Sequence, residues 1–293
     1  MQRHFSLVLA TINRYEELDA FLHSLEMQEY KNFSVILVDQ NVDDFFLLPV
    51  IERYQSCFEL VRIKSEKGLS RARNVGLDYC HGDIICFPDD DCEYPPDLLV
   101  RVNELFDKIE SDVLIGRQVP LAKDGENKTK LLIDNLKFAL RGKKGETIQS
   151  LFSDAPSITL FFSSNAIQLT GKFDQSLGAG AGTPWGSGED TDYVLRAYLR
   201  GCSVMRSPDI WVYHPDILYS RDLLPKARAY GRGRGRVLHK YNLGFFFCMQ
   251  NIFYPLVRGL CLLPNIAAFR YHIAMAWGRM EGLFLQRDRD ARL

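Results

Sequence analysis

Residues 83–96 read DIICFPDDDCEYPP, and the reading of that stretch decides the fold. A short apolar run, Asp83 to Pro88, ends in three successive carboxylates, Asp89, Asp90 and Asp91. An apolar run of this length bounded by turn-forming residues describes a buried strand. Three adjacent carboxylates repel one another. A hard divalent cation such as Mg2+ or Mn2+ removes the conflict, because it prefers oxygen ligands and lets a phosphate complete its shell. The plainer alternative is a solvated acidic turn.

The upstream chain repeats this shape. FSLVLA at 5–10 runs into Thr11, Ile12, Asn13 and Arg14, and FSVILV at 33–38 runs into Asp39. Between them an amphipathic helix is predicted over 16–28, with Leu18, Phe21, Leu22 and Leu25 on one face. A weaker strand candidate covers 58–63. GLSRARNVGLD at 68–78 reads as a turn entering a helix, with Ser70 as a candidate cap. Strands alternating with helices predict an α/β protein with a mostly parallel sheet and right-handed crossovers. Ligands of such sheets collect beyond the C-terminal strand ends. Thr11, Asn13 and Arg14, Asp39, and the aspartate triplet all fall there, so three strand ends are expected to serve one crevice.

Downstream the pattern loosens. Val113 to Gly116 reads as a strand, 123–146 as a mobile excursion rich in Lys, Gly and Asn, and Ser157 to Phe162 as a further strand. GAGAGTPWGSG at 178–188 leads into Glu189, Asp190, Thr191 and Asp192. No clear strand precedes those glycines and an acidic pair follows them, so a flexible flap fits better than a dinucleotide loop. A helix should then run to Arg200, with Gly201 as its C-terminal cap. Val204 and Ile210 to Tyr213 suggest two short strands, and His214 follows the second.

Composition limits the functional classes. The 293 residues allow one large domain, or one domain with an appendage, and 46% apolar with 25% charged residues is ordinary for a globular core. A net charge of −1 favours no global attraction to nucleic acid. The basic run RAYGRGRGRVLHK at 228–240 lacks interleaved aromatics, so a diphosphate or an anionic lipid suits it better. Seven cysteines form no C-x-x-C pair, which fits free thiols in a reducing compartment. The first apolar run is too short for a signal peptide, and the expected location is cytoplasmic.

Each candidate residue also has a plain structural reading. A strand-end aspartate such as Asp39 commonly caps the following turn. Arg71 and Arg73 suit either a solvated helix face or phosphates. Glu189 and Asp190 complement a helix N-terminus, yet a carboxylate after a flap also suits a general base for an incoming hydroxyl. His214 is a structural histidine or, as neutral imidazole, a ligand for Mn2+.

Taken together, the segments resemble the inverting glycosyltransferases of family 2. LATINR at 9–14 is similar to the family's "P-T-Y-N-R", with Ala10 in place of its proline. VDQN at 38–41 is similar to "V-D-D-G-S", and GLSRARNVGL at 68–77 to "G-x-x-x-A-R-N-x-G". FPDDDCEYPPDLL at 87–99 resembles the DXD segment, GKFDQSLG at 171–178 "G-x-F-D-E-x-L-G", and SGEDTDYVLR at 187–196 the acidic acceptor-side motif. The segments keep family order over roughly residues 5–215. The resemblance implies a GT-A fold, a Rossmann-like mixed and mostly parallel sheet flanked by helices, over 1–243. It further implies that Thr11, Asn13, Arg14, Asp39 and Arg71 hold the nucleotide, with Asp89 at the ribose or donor sugar and Asp90 among the substrate-binding residues. Asp91 would bind Mn2+ or Mg2+, completed by His214. Asp190 would be the base, Glu189 would position substrate, and Trp185 would stack on a sugar. The donor would be a UDP-, dTDP- or GDP-sugar.

The remaining segment, 244–293, is densely apolar but interrupted by Arg258, Arg270, His272, Arg279 and Glu281. Neither half makes a convincing spanning helix. Apolar faces flanked by Arg and aromatics suit helices lying in a membrane interface; the alternative is a helix pair packed on the catalytic domain. Membrane contact on the cytoplasmic face implies a saccharide acceptor that is polyprenyl-linked or part of a surface polysaccharide. The competing functions are a nucleotidyltransferase, which leaves the 188–192 segment unexplained, and a catalytically silent nucleotide-sugar-binding scaffold.

Overall fold

A computed structural model describes residues 1–121, 138 and 145–284. The chain forms two compact units. The first holds Met1–Lys67, Arg71–Lys172 and Tyr193–Asp216, and the second Gly68–Ser70, Phe173–Asp192 and Ile217–Leu293.

The first unit is built on a seven-stranded sheet. Its strands are β1 (Phe5–Thr11), β2 (Phe33–Asp39), β3 (Glu59–Lys64), β4 (Ile84–Cys86), β5 (Val113–Pro120), β6 (Leu160–Ser163) and β7 (Val204–His214), in the order β3-β2-β1-β4-β6-β5-β7. β1 pairs in parallel with β2 and β4, β2 with β3, and β5 with β7, while β6 runs antiparallel to β4 and β5. Helices α1 (Tyr15–Glu26), α2 (Leu47–Tyr54), α3 (Leu69–Leu77), α4 (Leu98–Lys108), α5 (Ile148–Ser153), α6 (Ser164–Thr170) and α7 (Glu189–Leu199) intervene. The four apolar positions expected on the first helix, Leu18, Phe21, Leu22 and Leu25, are its buried face. They join Leu7, Leu9, Val35 and Leu37 in one core layer. Alternation turns Val8 and Val38 to the other sheet face, where α3 approaches so closely that a Cβ on Gly76 would sit 2.4 Å from Val8 Cγ1.

Several expectations change. Val204 and Ile210–Tyr213 belong to one strand, not two, and β5 runs on to Pro120. Pairing between β5 and β7 slips between Ile115 and Arg117, which absorbs the interruption around Pro208. Because β7 is the sheet edge, Pro208 removes no ladder bond that a neighbour needs. The predicted strand at 157–162 starts with a 3-10 turn, Ser157–Thr159. Ser70 lies inside α3 and caps nothing; its Oγ donates to the Leu177 carbonyl at 2.6 Å. Most of the proposed excursion at 123–146 lies outside the described residues. Glu146, at its end, is pinned: its carboxylate accepts from Arg206 Nε at 2.9 Å and Nη2 at 3.1 Å, with both side chains buried.

In the second unit the basic run becomes a helix, α8 (Leu224–Lys240), followed by α9 (Phe245–Cys261) and α10 (Ile266–Phe284). The glycines of α8 are packing positions. Cβ atoms on Gly231 and Gly235 would lie 2.2 Å from the Met275 and Arg279 carbonyl oxygens, and Cβ atoms on Gly278 and Gly282 would lie 2.1 Å from those of Arg228 and Arg232. Four glycines spaced i, i+4 on two helices bring the backbones into direct contact. Glu281 crosses the seam to Arg228 Nε at 3.0 Å and Arg232 Nε at 2.6 Å. Within the second unit, α10 buries a face on α8. Phe246, Phe253, Val257 and Leu260 of α9 stay exposed. No helix among the described residues is long and apolar enough to cross a membrane.

Candidate active site

The three polar strand ends converge as β1, β2 and β4 dictate. β1 lies between the other two, Thr11 is opposite Asp39 in register, and Ala10 bridges Asp89. Thr11 Oγ1 donates to Asp90 Oδ2 at 2.8 Å. One Arg14 nitrogen donates to Asp90 Oδ1 at 2.9 Å and to Asp91 Oδ2 at 2.7 Å. Asp90 is 5% exposed, and both its oxygens are engaged within the protein. Burial pushes its pKa up; Arg14 and Thr11 oppose this but do not cancel it. Arg14 answers in kind: burial works against its charge, but Asp90 and Asp91 outweigh burial and hold its pKa above the ordinary value.

Asp39 behaves as a strand-end cap. It is fully buried, with Oδ1 accepting from the Asn41 backbone N–H and Nδ2, both at 2.8 Å, and Oδ2 from Arg62 Nη2 at 2.6 Å. Lys64 Nζ lies 2.9 Å from the same oxygen. Burial disfavours the Asp39 charge, but bonds from Lys64, Arg62 and Asn41 win, and its pKa falls below the usual value. Asn41 Oδ1 in turn accepts from the Asn13 N–H at 2.7 Å, holding Asn13 at a positive φ of 55°. Arg71 pairs with Glu66. The arginine of α3 that reaches the aspartates is Arg73, buried, donating to Asp89 Oδ1 at 3.2 Å and Ser157 Oγ at 3.0 Å.

His214 arrives through an arrangement that its sequence position does not advertise. Glu93 and Tyr213 exchange backbone hydrogen bonds of 2.9 and 3.0 Å, which ties the end of β7 to the segment just after Asp91. Ligand atoms of Asp89, Asp91 and His214 then lie within 4.8 Å of one another. The histidine's Nδ1 is 2.8 Å from the Pro215 carbonyl, which only accepts, so Nδ1 carries the hydrogen. Its Nε2 faces Asp91 Oδ1 at 3.5 Å, and that oxygen is buried without a hydrogen bond. The imidazole nitrogen and the carboxylate oxygens thus converge on one point as a nitrogen and oxygen donor set. These residues fit a hard or borderline divalent metal, with the histidine oriented from behind by a carbonyl.

The remaining expected residues belong to the second unit. Gly178, at φ 104°, lies where a Cβ would come 3.2 Å from Glu189 Oε2. Trp185 is half-buried, and its carbonyl accepts from the Gly178 N–H at 3.0 Å. Along 189–192, Glu189, Thr191 and Asp192 are buried, and Asp190 alone stays partly open. Asp192 accepts from the Tyr241 hydroxyl at 2.8 Å and pairs with Lys240 Nζ at 2.7 Å; Lys240 also binds Asp174 at 2.9 Å. Burial works against the Asp174 charge, yet bonds from Lys240 and Ser176 bring its pKa to about 2.

Sequence reasoning left Arg73 undecided and missed Arg62, Lys64 and Lys240. A period-2 reading of Arg62-Ile63-Lys64 puts both cations on one strand face beside Asp39. Arg71 and Arg73, two apart on a helix, cannot face the same way, so one of them had to turn inward. Lys240 carried no comparable signal.

The model of the family described as Glycosyl transferase family 2 matches residues 6–171. The amylovoran biosynthesis glycosyltransferase AmsB of Erwinia amylovora is 34% identical over 129 residues, covering 41% of this chain and 43% of that protein. A Campylobacter jejuni GalNAc(5)-diNAcBac-PP-undecaprenol beta-1,3-glucosyltransferase is 25% identical over 131 residues, covering 42% of each. The matches thus span less than half the length of these relatives. Among solved structures, the mannosyltransferase PcManGT of Pyrobaculum calidifontis, in complex with GDP-Man and Mn2+, superposes with a TM-score of 0.68 at 13% identity. That alignment covers 98% of this chain and 88% of that one and speaks to the fold alone.

Proposed function

Since the chain belongs to glycosyl transferase family 2, we propose that it is a metal-dependent inverting glycosyltransferase acting on a nucleotide-sugar donor. The observation that carries the reading is the cluster of Asp89, Asp91 and His214 at the strand ends. These three side chains would hold Mn2+ or Mg2+ against the donor diphosphate. A divalent cation held by them would supply Lewis-acid chemistry, offsetting negative charge on the leaving nucleoside diphosphate. PcManGT was solved with GDP-Man and Mn2+, which supports a donor and metal of this class.

The protein's own groups do the rest. Thr11, Asn13, Arg14, Asp39 and Arg71 frame the nucleotide, and Asp90 contributes indirectly by fixing Thr11 and Arg14. Arg73 steadies Asp89. Asp190 accepts the proton of the acceptor hydroxyl as that oxygen attacks C1 from the face opposite the leaving group, so the anomeric centre inverts without a covalent intermediate. Its partial exposure among buried neighbours supports that role. Glu189 positions substrate, and Trp185 offers a stacking face. The names of the two relatives, one in amylovoran biosynthesis and one acting on an undecaprenol-linked saccharide, support a polyprenyl-linked or surface-polysaccharide acceptor. The catalytic part is assigned to 1–243. The helices of 244–293 keep the enzyme peripheral on the cytoplasmic face of the membrane, where such an acceptor lies.

Replacing Asp190 by Asn keeps shape but removes the base. Transfer should fall by roughly 10²- to 10⁴-fold with donor affinity little changed, and Glu189→Gln should be milder. Near-normal turnover of Asp190→Asn, or a product with retained anomeric configuration, would refute the mechanism.

A further inference from the structure

A cavity of about 90 Å³ opens in the second unit between α9, α10 and the chain at 217–219. Its lining includes Tyr219, Tyr254, Arg258, His272, Met275 and Arg279. Arg279 is 6% exposed and His272 4%. The Arg279 guanidinium is held by the Asn251 carbonyl and by Met275 Sδ at 3.6 Å, while its Nε has no hydrogen-bond partner. His272 Nε2 lies 3.4 Å from the Tyr219 hydroxyl, and its Nδ1 is likewise buried and unbonded. Among the described residues no carboxylate pairs with Arg279 or with Arg258.

A buried guanidinium without a counter-charge is costly, and its neighbours aggravate the cost. Burial, then nearby Arg234, pulls the Arg279 pKa down to about 9. Burial followed by Arg258 and Arg279 lowers that of His272 as well. One helix-to-helix contact to the Asn251 carbonyl explains why an arginine can cross this seam. It does not account for two guanidinium groups, Arg258 and Arg279, lining one space without a paired carboxylate among the described residues. The chemistry missing is a compact anion with several acceptor oxygens, and the guanidinium fork matches a phosphate. The volume suffices for that group, being several times what one water requires.

The surroundings of the mouth identify the source. Ile217 and Tyr254, which line the cavity, are exposed, and Leu218 between Ile217 and Tyr219 is 81% exposed. A soluble phosphate gains nothing from an apolar rim, whereas the chains of a lipid would lie along it. We propose that the Arg279–His272 cavity binds the terminal phosphate monoester of an anionic membrane lipid. The inference rests on reading 244–293 as membrane-associating and adds a specific headgroup contact to it; it does not depend on the transfer reaction.

Flotation of the full chain tests this with three vesicle types: phosphatidylcholine alone, phosphatidylcholine doped with phosphatidic acid, and phosphatidylcholine doped to the same surface charge with oleate. Phosphatidic acid vesicles should bind roughly tenfold more tightly than oleate vesicles, the factor expected for a charge-assisted hydrogen bond. Arg258→Gln, at an exposed position, should cut that preference, and Arg279→Gln should remove it while binding to plain phosphatidylcholine persists. Equal binding to oleate vesicles, or an undiminished preference in Arg258→Gln, would overturn the headgroup site alone. Failure to bind any vesicle would overturn the membrane reading with it. Thermal stabilisation by inorganic phosphate in a protein that ignores vesicles would assign the cavity to a free anion and likewise refute the proposal.

Discussion

Gly278→Ala measures how closely α8 and α10 approach. The added Cβ would sit 2.1 Å from the Arg228 carbonyl oxygen and 3.0 Å from the Arg232 nitrogen. A carbon settles against a carbonyl oxygen at about 3.3 Å, so the two backbones must part by about 1 Å. No rotamer change relieves a backbone-to-backbone overlap. Overpacking of this kind costs about 1–3 kcal/mol, and the upper part applies here. Alanine returns up to about 1 kcal/mol through helix propensity. A net loss of about 2 kcal/mol should lower the melting temperature by about 3 °C in a chain of 293 residues, whose unfolding entropy is roughly 0.6 kcal/mol per kelvin. Calorimetric or circular dichroism melts of the two proteins give the number. Adding Gly282→Ala, whose Cβ meets the Arg232 carbonyl at 2.1 Å, should cost less in the double variant than alone, because the helices have already separated. An unchanged or raised melting temperature for Gly278→Ala would show the helix-propensity gain unopposed and would refute the packing described.

Glu281 gives the same seam a pH dependence. Bonds from Arg228, against a burial penalty and aided by Arg232, bring its pKa from 4.5 to about 2. Its contribution is therefore full above the unfolded value near 4.5 and disappears as pH falls through about 2. Arg228 is about half exposed, so solvent screens part of the contribution; Glu281→Gln should melt below the wild type at pH 6 and converge with it near pH 2 in paired thermal melts. Titration calorimetry with Mn2+ and with EDTA should show metal-dependent donor binding, lost in Asp91→Ala; equal affinity in both conditions would refute the metal cluster. Glu146→Gln strands buried Arg206, with Asp154 Oδ2 still 3.4 Å from it. The loss should be about 3 kcal/mol, the lower end for a broken buried pair, read from denaturant midpoints at constant slope.

Local pattern carried much of this protein. The runs at 5–10, 33–38 and 83–88 became adjacent parallel strands because continuous apolar stretches between turn-formers have few other uses, and Leu18, Phe21, Leu22 and Leu25 faced inward because helical period and burial agree. The convergence of Thr11, Asp39 and Asp89–Asp91 followed, since parallel strands put their C-terminal ends on one side. Long-range pairing was beyond that reasoning. Glu93 and Tyr213 are 120 residues apart in sequence, and only their hydrogen bonds bring His214 to Asp91. Likewise, the charges of Arg62, Lys64 and Arg73 were visible, but which carboxylates they would meet depended on strand order and helix facing. The run at 228–240 was read only as basic and suited to an anion; Gly231 and Gly235 are the contact surface of a helix, because the backbone they expose is covered by Gly278 and Gly282 some 45 residues further on. Sequence determines what a residue offers chemically and which face of its own element it occupies. Only the tertiary structure decides which distant group accepts the offer, because that choice is made by packing between elements that carry no mark of one another.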